Sequence, residues 1–386
     1  MLSTLKAWVE IDLDAIVHNI GQLQRFVAPT LLCPVVKAEA YGHGAVAVSK
    51  AAVRAGVRNL AVATIEEAIE LRKAGIKVNL IVLGPTLPDQ YEDIYEHGLT
   101  MTVASMKEVN YLLVFAHDLP GPINVHLKLD TGMGRIGFKV RPDTVAAVTE
   151  SLLRVRQVPN INITGLFSHF AVSESADLRF AEEQYTLFRQ VSELLEKRGM
   201  QVLKHICASG TIVSSPAMHM DMVRPGALIY GLFPSFELDN PLDLHPVMAV
   251  KARVMFINFI EPGESVGYDR TWVAKRPTRT AVMMYGYADG YSTSFSNSAY
   301  VNLHGVNCPV IGRVCMDQTI IDITDIEHHV HIGDIVHVIE GHGPSIMELV
   351  KMCGLSSREI QCLTTTGTRM PRVYFEGGEV TRAEWL

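Results

Sequence analysis

The sequence has few aromatic residues and no surplus of basic charge. Only 7% of its 386 residues are aromatic, and 34 Lys and Arg are outnumbered by 41 Asp and Glu, for a net charge of −7. Binding to a nucleic-acid backbone or an anionic membrane surface needs a basic face, and single-strand binding needs aromatic platforms. We therefore expect neither a nucleic-acid nor a membrane partner. The hydrophobic share of 48% excludes low-hydrophobicity disorder and supplies a sizeable core.

Patterns typical of metal sites and membrane spans are also missing. The six cysteines, at positions 33, 207, 308, 315, 353 and 362, include no CxxC pair and no tight Cys/His spacing. We therefore expect no metal site. No run approaches the roughly eighteen apolar residues of a membrane helix. Acidic residues at positions 10, 12 and 14 precede any apolar run, unlike a secretory signal, so we expect a cytoplasmic protein.

Short apolar runs alternate with segments of helical spacing from about residue 30. The runs are 31–37, 59–64, 78–84, 99–104, 123–130, 162–170, 202–209 and 221–226. Helical spacing is clearest in 65–75 and 178–199, which end in Gly75 and Gly199. Strands that are apolar throughout require cover on both faces, as in a parallel sheet wrapped by helices. The sequence therefore predicts an α/β fold with an N-terminal (β/α)8 TIM-type barrel over residues 1–240.

The pattern changes after about residue 238. The stretch 238–246 is rich in Pro and Asp, as an interdomain linker would be. Beyond it, short strand-like runs are separated by Gly, Pro and Asp, and only 345–354 has helical spacing. Residues 241–386 are therefore predicted to form a smaller, mainly antiparallel β domain.

In a barrel of this kind, catalytic groups lie where strands end. Lys37 closes the first apolar run and is followed by a turn with Tyr41 and two glycines. A lysine at the edge of a dry environment has a lowered pKa, which frees its amine for Schiff-base chemistry. The alternative, which stays open at this point, is that Lys37 simply emerges into solvent.

Other polar residues stand at the ends of later predicted strands. They are Lys128 with Arg135 after strand five, His169 after strand six, Ser209 after strand seven, and Arg224, Gly226 and Ala227 after strand eight. The loops after strands seven and eight form the phosphate site of many barrels. A lysine, an arginine and a phosphate site on one face suit an enzyme that uses pyridoxal phosphate.

Six segments carry a family resemblance. VVKAEAYGHG closely resembles the cofactor-lysine motif of alanine racemases, which are fold-type III pyridoxal-phosphate enzymes. DTGMGRIGF, LFSHF, MVRPGALIYGL, YGYADGY and GRVCMDQ resemble five further motifs of that family. They occur in the family's order and span about residues 5 to 375. The resemblance implies interconversion of L- and D-alanine, which supplies D-alanine for peptidoglycan.

The resemblance also implies roles for the cationic and acid–base residues. Lys37 matches the lysine that binds the cofactor covalently and serves as one of two bases, and Tyr287 matches the second base. In the family that tyrosine comes from the other subunit, which implies a homodimer with shared active sites. His169 matches the residue that supports the tyrosine. Arg224 matches the arginine facing the pyridine nitrogen.

The remaining roles concern the phosphate and the substrate. Arg135 matches an arginine near the substrate carboxylate, and Lys128 matches a lysine that is often carbamylated. The implied phosphate contacts are Tyr41, Ser209, Gly226 and Ala227. Met316 and Asp317 match a substrate-side loop contributed by the partner. Racemisation needs a base on each face of a planar carbanion, which a Lys–Tyr pair supplies when cationic neighbours or burial lower both pKa values.

The sequence departs from the family pattern at several positions. Glu39 and Ala208 stand where Asn is common, and Asp269 stands where Gly is common. Thr368 takes the place of a tyrosine that contacts the phosphate and narrows the pocket. Serine or a broader set of amino acids is therefore an alternative substrate. A fold-type III amino-acid decarboxylase is a less favoured alternative, because the YADG and CMD segments stand in the racemase arrangement. A non-catalytic pyridoxal-phosphate carrier is also less favoured, because carriers of that type lack the β domain.

Overall fold

The computed structural model describes residues 2–117, 119–233, 235–363 and 369–385. Contacts divide the chain into two compact units. The barrel unit comprises Ile16–Ala40 and Ala45–Leu244, and the second unit comprises Met1–Ala15, Tyr41–Gly44 and His245–Leu386. No helix among the described residues is long and apolar enough to cross a membrane.

Among the described residues of the barrel unit, eight parallel strands follow one another around a nearly closed sheet, and a short ninth strand, Phe138–Lys139, pairs with the fifth. In chain order the eight are Leu31–Leu32, Asn59–Val62, Asn79–Val82, Thr100–Val103, Ile123–Asp130, Ile161–Phe167, Leu203–Ala208 and Met222–Arg224. A parallel bridge between Val35 and Ala61 joins the first strand's continuation to the second strand. Each of the eight lies within a predicted apolar run, except that the sixth begins one residue early, at Ile161. The predicted barrel is therefore confirmed.

Helices alternate with these strands. They are Leu13–Val27, Ala45–Arg54, Ile65–Lys73, Tyr91–Glu96, Met106–Ala116, Val145–Val155, Arg179–Lys197 and Ser209–Ser214. The predicted helices over 65–75 and 178–199 are both present, because their apolar residues recur on one face and bury there. The positive φ of Gly75 and Gly199 ends each helix at the expected position.

The second unit is built on a mainly antiparallel sheet, as predicted. Its strands are Ala7–Asp12, Met248–Ile260, Ser265–Val266, Trp272–Val273, Thr278–Met283, Tyr300–Leu303, Val306–Pro309, Thr319–Asp322, Ile335–Ile339, Arg372–Glu376 and Glu379–Glu384. The strand Ala7–Asp12 pairs antiparallel with Met248–Ile260 and parallel with Arg372–Glu376. The long strand Met248–Ile260 also pairs with Thr278–Met283 and Ile335–Ile339, which places it at the centre of the unit.

The prediction of a single helix in this region is wrong. Ile346–Cys353 is the predicted helix, but Ser357–Leu363 forms a second one. The second helix is short, and most of its residues are polar, so it lacks the apolar periodicity by which helices are recognised.

Candidate active site

The turn that follows Lys37 has an unusual backbone. Residues Ala38, Glu39, Ala40 and Tyr41 all have φ between 51° and 55°, which is the left-handed region. Lys37 is half-buried where the first barrel strand runs out, rather than fully in solvent. Left-handed backbone costs roughly 1–2 kcal/mol for each residue with a Cβ. Four such residues in a row therefore need support from their surroundings.

His169 lies among the four predicted cationic residues of the barrel unit. The pKa of His169 is held well below its usual range, first by burial and then by the charges of Arg224, Lys128, Arg135 and Lys37. Its imidazole is therefore neutral at physiological pH. The structure thus gathers side chains from the ends of strands one, five, six and eight, as the parallel arrangement predicts.

Lys128 is strongly affected by this crowding. Burial, followed by the charges of Arg224 and Arg135, lowers the pKa of Lys128 to about 7. Its ammonium lies 4.4 Å from the centre of the Phe167 ring. A substantial fraction of this amine is consequently neutral and nucleophilic near pH 7.

Arg224 is fixed by a buried hydrogen-bonded chain that sequence analysis missed. Its Nη1 donates to His205 Nδ1 at 2.6 Å, and its Nη2 donates to the Ser168 carbonyl at 2.8 Å. Because arginine has no acceptor, His205 Nδ1 must accept, and its Nε2–H then donates to His126 Nδ1 at 2.9 Å. The Phe167 ring stacks on His205 with centroids 4.8 Å apart. These hydrogen bonds define the tautomers of His205 and His126 and the orientation of the Arg224 guanidinium.

A glycine makes room for this chain. Gly165 on strand six is in register with His126 on strand five. A Cβ at Gly165 would lie 2.5 Å from the His126 ring. The missing side chain therefore lets the ring extend across strand six towards His205 on strand seven. A histidine in each of two apolar strands, with a glycine in the strand between them, is the sequence feature that could have revealed the chain.

The buried His126 predicts a pH-dependent stability. Burial lowers its pKa to about 3 from a usual value near 6.5, so between these pH values the unfolded chain binds a proton that the folded chain does not. Above pH 6.5, His126 therefore causes no loss of unfolding free energy. Below pH 6.5, uptake of this proton by the unfolded chain lowers the unfolding free energy by about 1.4 kcal/mol for each pH unit. We expect His126→Asn, whose amide oxygen still accepts from His205, to have a shallower decline. Urea unfolding of both proteins between pH 7.5 and 5 measures this, and equal slopes would contradict it.

The loops after strands seven and eight meet at Ser209. Ser209 begins the helix Ser209–Ser214, and its Oγ accepts from the Gly226 N–H at 2.9 Å and the Leu228 N–H at 3.5 Å. Ala227, between these two donors, is buried. The predicted phosphate residues of the barrel unit are therefore adjacent, and the Ser209 hydroxyl keeps its own proton as a donor.

The second unit brings together the predicted residues Tyr287, Met316 and Asp317. Tyr287 opens the 3-10 turn Tyr287–Asp289 and is 45% exposed, and Met316 is 52% exposed. The Tyr287 N–H donates to the Cys315 carbonyl at 3.0 Å. A Cβ at Gly286 would collide with backbone atoms of residues 315 and 316, so glycine is required for this close approach.

Arg369 holds these two segments together and was not predicted. Its Nη1 lies 2.6 Å from Asp317 Oδ1, and its Nη2 lies 3.0 Å from Asp289 Oδ1. The other oxygen of Asp289 accepts from the Gly286 N–H at 3.0 Å. The guanidinium thus joins the Tyr287 turn to the Met316–Asp317 loop.

Two predicted cofactor contacts remain. Tyr41 is half-buried, and its carbonyl lies 3.0 Å from His43 Nδ1. Thr368 lies outside the described residues.

A parallel barrel with a lysine after its first strand and a buried arginine ending its eighth defines a class, the pyridoxal-phosphate enzymes built on a barrel. Two family models match, "Alanine racemase, N-terminal domain" over residues 11–234 and "Alanine racemase, C-terminal domain" over residues 247–374. The chain belongs to the alanine racemase family. The resemblance found in its motifs is confirmed.

Individual relatives agree with this membership. The alanine racemase of Clostridium kluyveri is 38% identical over 381 residues, covering 97% of this chain and 95% of that protein. The structure of alanine racemase from Clostridium difficile 630 has a TM-score of 0.92 at 31% identity and covers 99% of both chains. That from Bartonella henselae, described with covalently bound pyridoxal phosphate, has a TM-score of 0.87 at 29% identity and covers 96% of this chain and all 100% of that one.

Proposed function

We propose that this protein interconverts L- and D-alanine with bound pyridoxal phosphate, and so supplies D-alanine for peptidoglycan. The observation that carries the proposal is the convergence of Lys37, Arg224 and neutral His169 in the barrel unit of a chain of this family. The proposed location is the cytoplasm, and the proposed domains are residues 1–240 and 241–386.

The residues of the barrel unit suit this cofactor. Arg224 is 2% exposed and uses both Nη atoms within the protein, while its Nε–H makes no hydrogen bond to any described residue. A pyridine nitrogen is an acceptor of matching chemistry. Ser209 through its hydroxyl proton and Ala227 through its amide would hold the phosphate together with Tyr41, with the Gly226 N–H orienting the Ser209 hydroxyl. When bound, pyridoxal phosphate withdraws electrons from the substrate Cα and so stabilises negative charge there.

Lys37 and Tyr287 are the proposed bases. Each would exchange a proton with Cα from one face, Lys37 through Nζ and Tyr287 through its phenolic oxygen, so that removal on one face and return on the other inverts the configuration. We infer that Tyr287, Met316 and Asp317 serve the active site of a second subunit in a homodimer. The exposure of Tyr287 and Met316 supports this inference.

Arg135 and Lys128 are proposed to act on the substrate side. Arg135 is exposed and positively charged beside Lys128, which suits it to bind the substrate carboxylate. The lowered pKa of Lys128 supports its carbamylation, because only a neutral amine reacts with carbon dioxide. A carbamate would carry negative charge beside Arg135 and would hold the guanidinium in place.

Incubation with L-alanine in deuterated water tests the proposed reaction. We expect D-alanine to form and deuterium to be incorporated at Cα. Release of an amine product would indicate a decarboxylase, and no change would indicate a carrier. Parallel assays with L-serine address the wider substrate range, and a kcat/KM for L-serine equal to or above that for L-alanine would overturn alanine as the substrate.

A further inference from the structure

The carboxylate of Glu67 joins the ends of two barrel strands. Its Oε1 accepts from the Ala38 N–H at 2.6 Å, directly after Lys37. Its Oε2 accepts from the Ala63 N–H at 2.7 Å and the Thr64 N–H at 3.3 Å, at the end of strand two. The three hydrogen bonds use both oxygens of one carboxylate, and all three donors are backbone groups.

The hydrogen bond from Ala38 stabilises the left-handed turn at residues 38–41. Ala38 is the first residue of the left-handed turn, and non-glycine residues persist in that conformation only when neighbouring groups hold them there. A hydrogen bond from a backbone N–H to a carboxylate is stronger than one between neutral groups. Glu67 therefore acts at the residue whose backbone sets the direction in which Lys37 leaves the strand.

The chain contains an internal comparison for Glu67. Glu108 occupies the matching place after strand four, where it accepts from the Ala104 N–H at 2.6 Å and caps its own helix with Ser105. Glu67 is likewise paired with the first residue before its helix, although it accepts from the Thr64 N–H whereas Glu108 accepts from the Ser105 hydroxyl. The main difference is the hydrogen bond from Ala38: in the part of the chain described, the Glu108 carboxylate makes no hydrogen bond beyond residues 104 and 105.

We propose that Glu67 is a positioning residue for Lys37, holding the left-handed turn so that the lysine Nζ meets the cofactor. The proposal rests on the function proposed above. Glutamine at position 67 keeps one accepting oxygen and replaces the other with a donor, so it cannot serve both Ala38 and Ala63. Alanine removes all three hydrogen bonds.

The test compares Glu67→Ala and Glu67→Gln with Glu108→Ala and Glu108→Gln. Borohydride reduction followed by peptide mass spectrometry measures the fraction of pyridoxal phosphate fixed to Lys37, and fluorescence titration measures its Kd. Thermal melting reports the stability of each protein. We expect both pairs to lower Tm and the Glu67 pair to lower it more, because both lose carboxylate hydrogen bonds at the start of a helix and only Glu67 also loses the one from Ala38. Only the Glu67 variants should weaken cofactor binding, Glu67→Ala by roughly tenfold to a hundredfold and Glu67→Gln by less, while the Glu108 variants keep the parent's Kd.

One result would overturn this proposal, and another would overturn the proposed function on which it rests. If the Glu67 variants retain the parent's cofactor Kd and labelling of Lys37 while losing as much stability as the Glu108 variants, Glu67 is a helix cap and nothing more. Glutamine preserves the size of the side chain, so the comparison remains available even if Glu67→Ala does not fold. If the parent protein itself takes no label at Lys37, the proposed cofactor chemistry fails, which is a different outcome.

Discussion

Lys37→Ala is expected to lower kcat/KM for L-alanine by about 10⁴-fold or more. The variant loses a base, worth about 10²- to 10⁴-fold, together with the covalent attachment of the cofactor. Lys128, the other lysine near His169, lies over the Phe167 ring and is proposed to act on the substrate carboxylate side instead. Racemisation measured by chiral chromatography, with cofactor retention followed after borohydride reduction, gives the result.

The control for this variant is Lys50→Ala. Lys50 is exposed on the helix Ala45–Arg54, so Lys50→Ala removes one positive charge and leaves the cationic residues around His169 unchanged. We expect parental activity from Lys50→Ala and an unchanged Tm from both variants, since Lys37 is only half-buried. If Lys37→Ala kept a tenth or more of the parent's activity, the proposed role of Lys37 would be wrong.

The barrel could be predicted because each of its strands is recognisable as a short apolar run in the sequence. Runs such as Asn59–Val62 and Thr100–Val103 are buried along nearly their whole length, and a strand of that kind requires cover on both faces. The strand ends then identified Lys37 and Arg224 as a pair, since parallel strands present their carboxyl ends at one face. Local sequence was sufficient for both steps.

Other features depend on contacts that local sequence does not reveal. The strand Glu379–Glu384 is mostly exposed and has no alternation of apolar residues, so only its pairing with Arg372–Glu376 defines it. The left-handed turn after Lys37 contains no glycine at 38–41, and nothing in its composition predicts positive φ. From the sequence alone, Glu67 is an ordinary helix-capping residue, because its hydrogen bond from the Ala38 N–H depends on how the strands are arranged.

Tyr287→Phe is expected to lower racemisation by about 10²- to 10⁴-fold, the usual contribution of one acid–base group. Phenylalanine keeps the ring and removes only the hydroxyl, which is the proposed proton carrier. Because the Tyr287 turn is held through backbone hydrogen bonds to the 315–316 segment, the turn and the stability should be preserved. Tyr300→Phe is the matched control, since Tyr300 donates to Glu348 at 3.0 Å in the same unit and has no proposed role in catalysis.

The Tyr287 variant also tests the proposed sharing of active sites. Lys37→Ala and Tyr287→Phe chains are each inactive alone, but a mixed dimer would contain one site with both defects and one site with neither. Co-refolding equal amounts should therefore restore about a quarter of the parent's activity, because half of randomly formed dimers are mixed and each has one intact site. If Tyr287 instead served the site of its own chain, every site would keep one defect and mixing would restore nothing. Activity that returns on mixing thus distinguishes a residue contributed across the dimer from one acting within its own subunit.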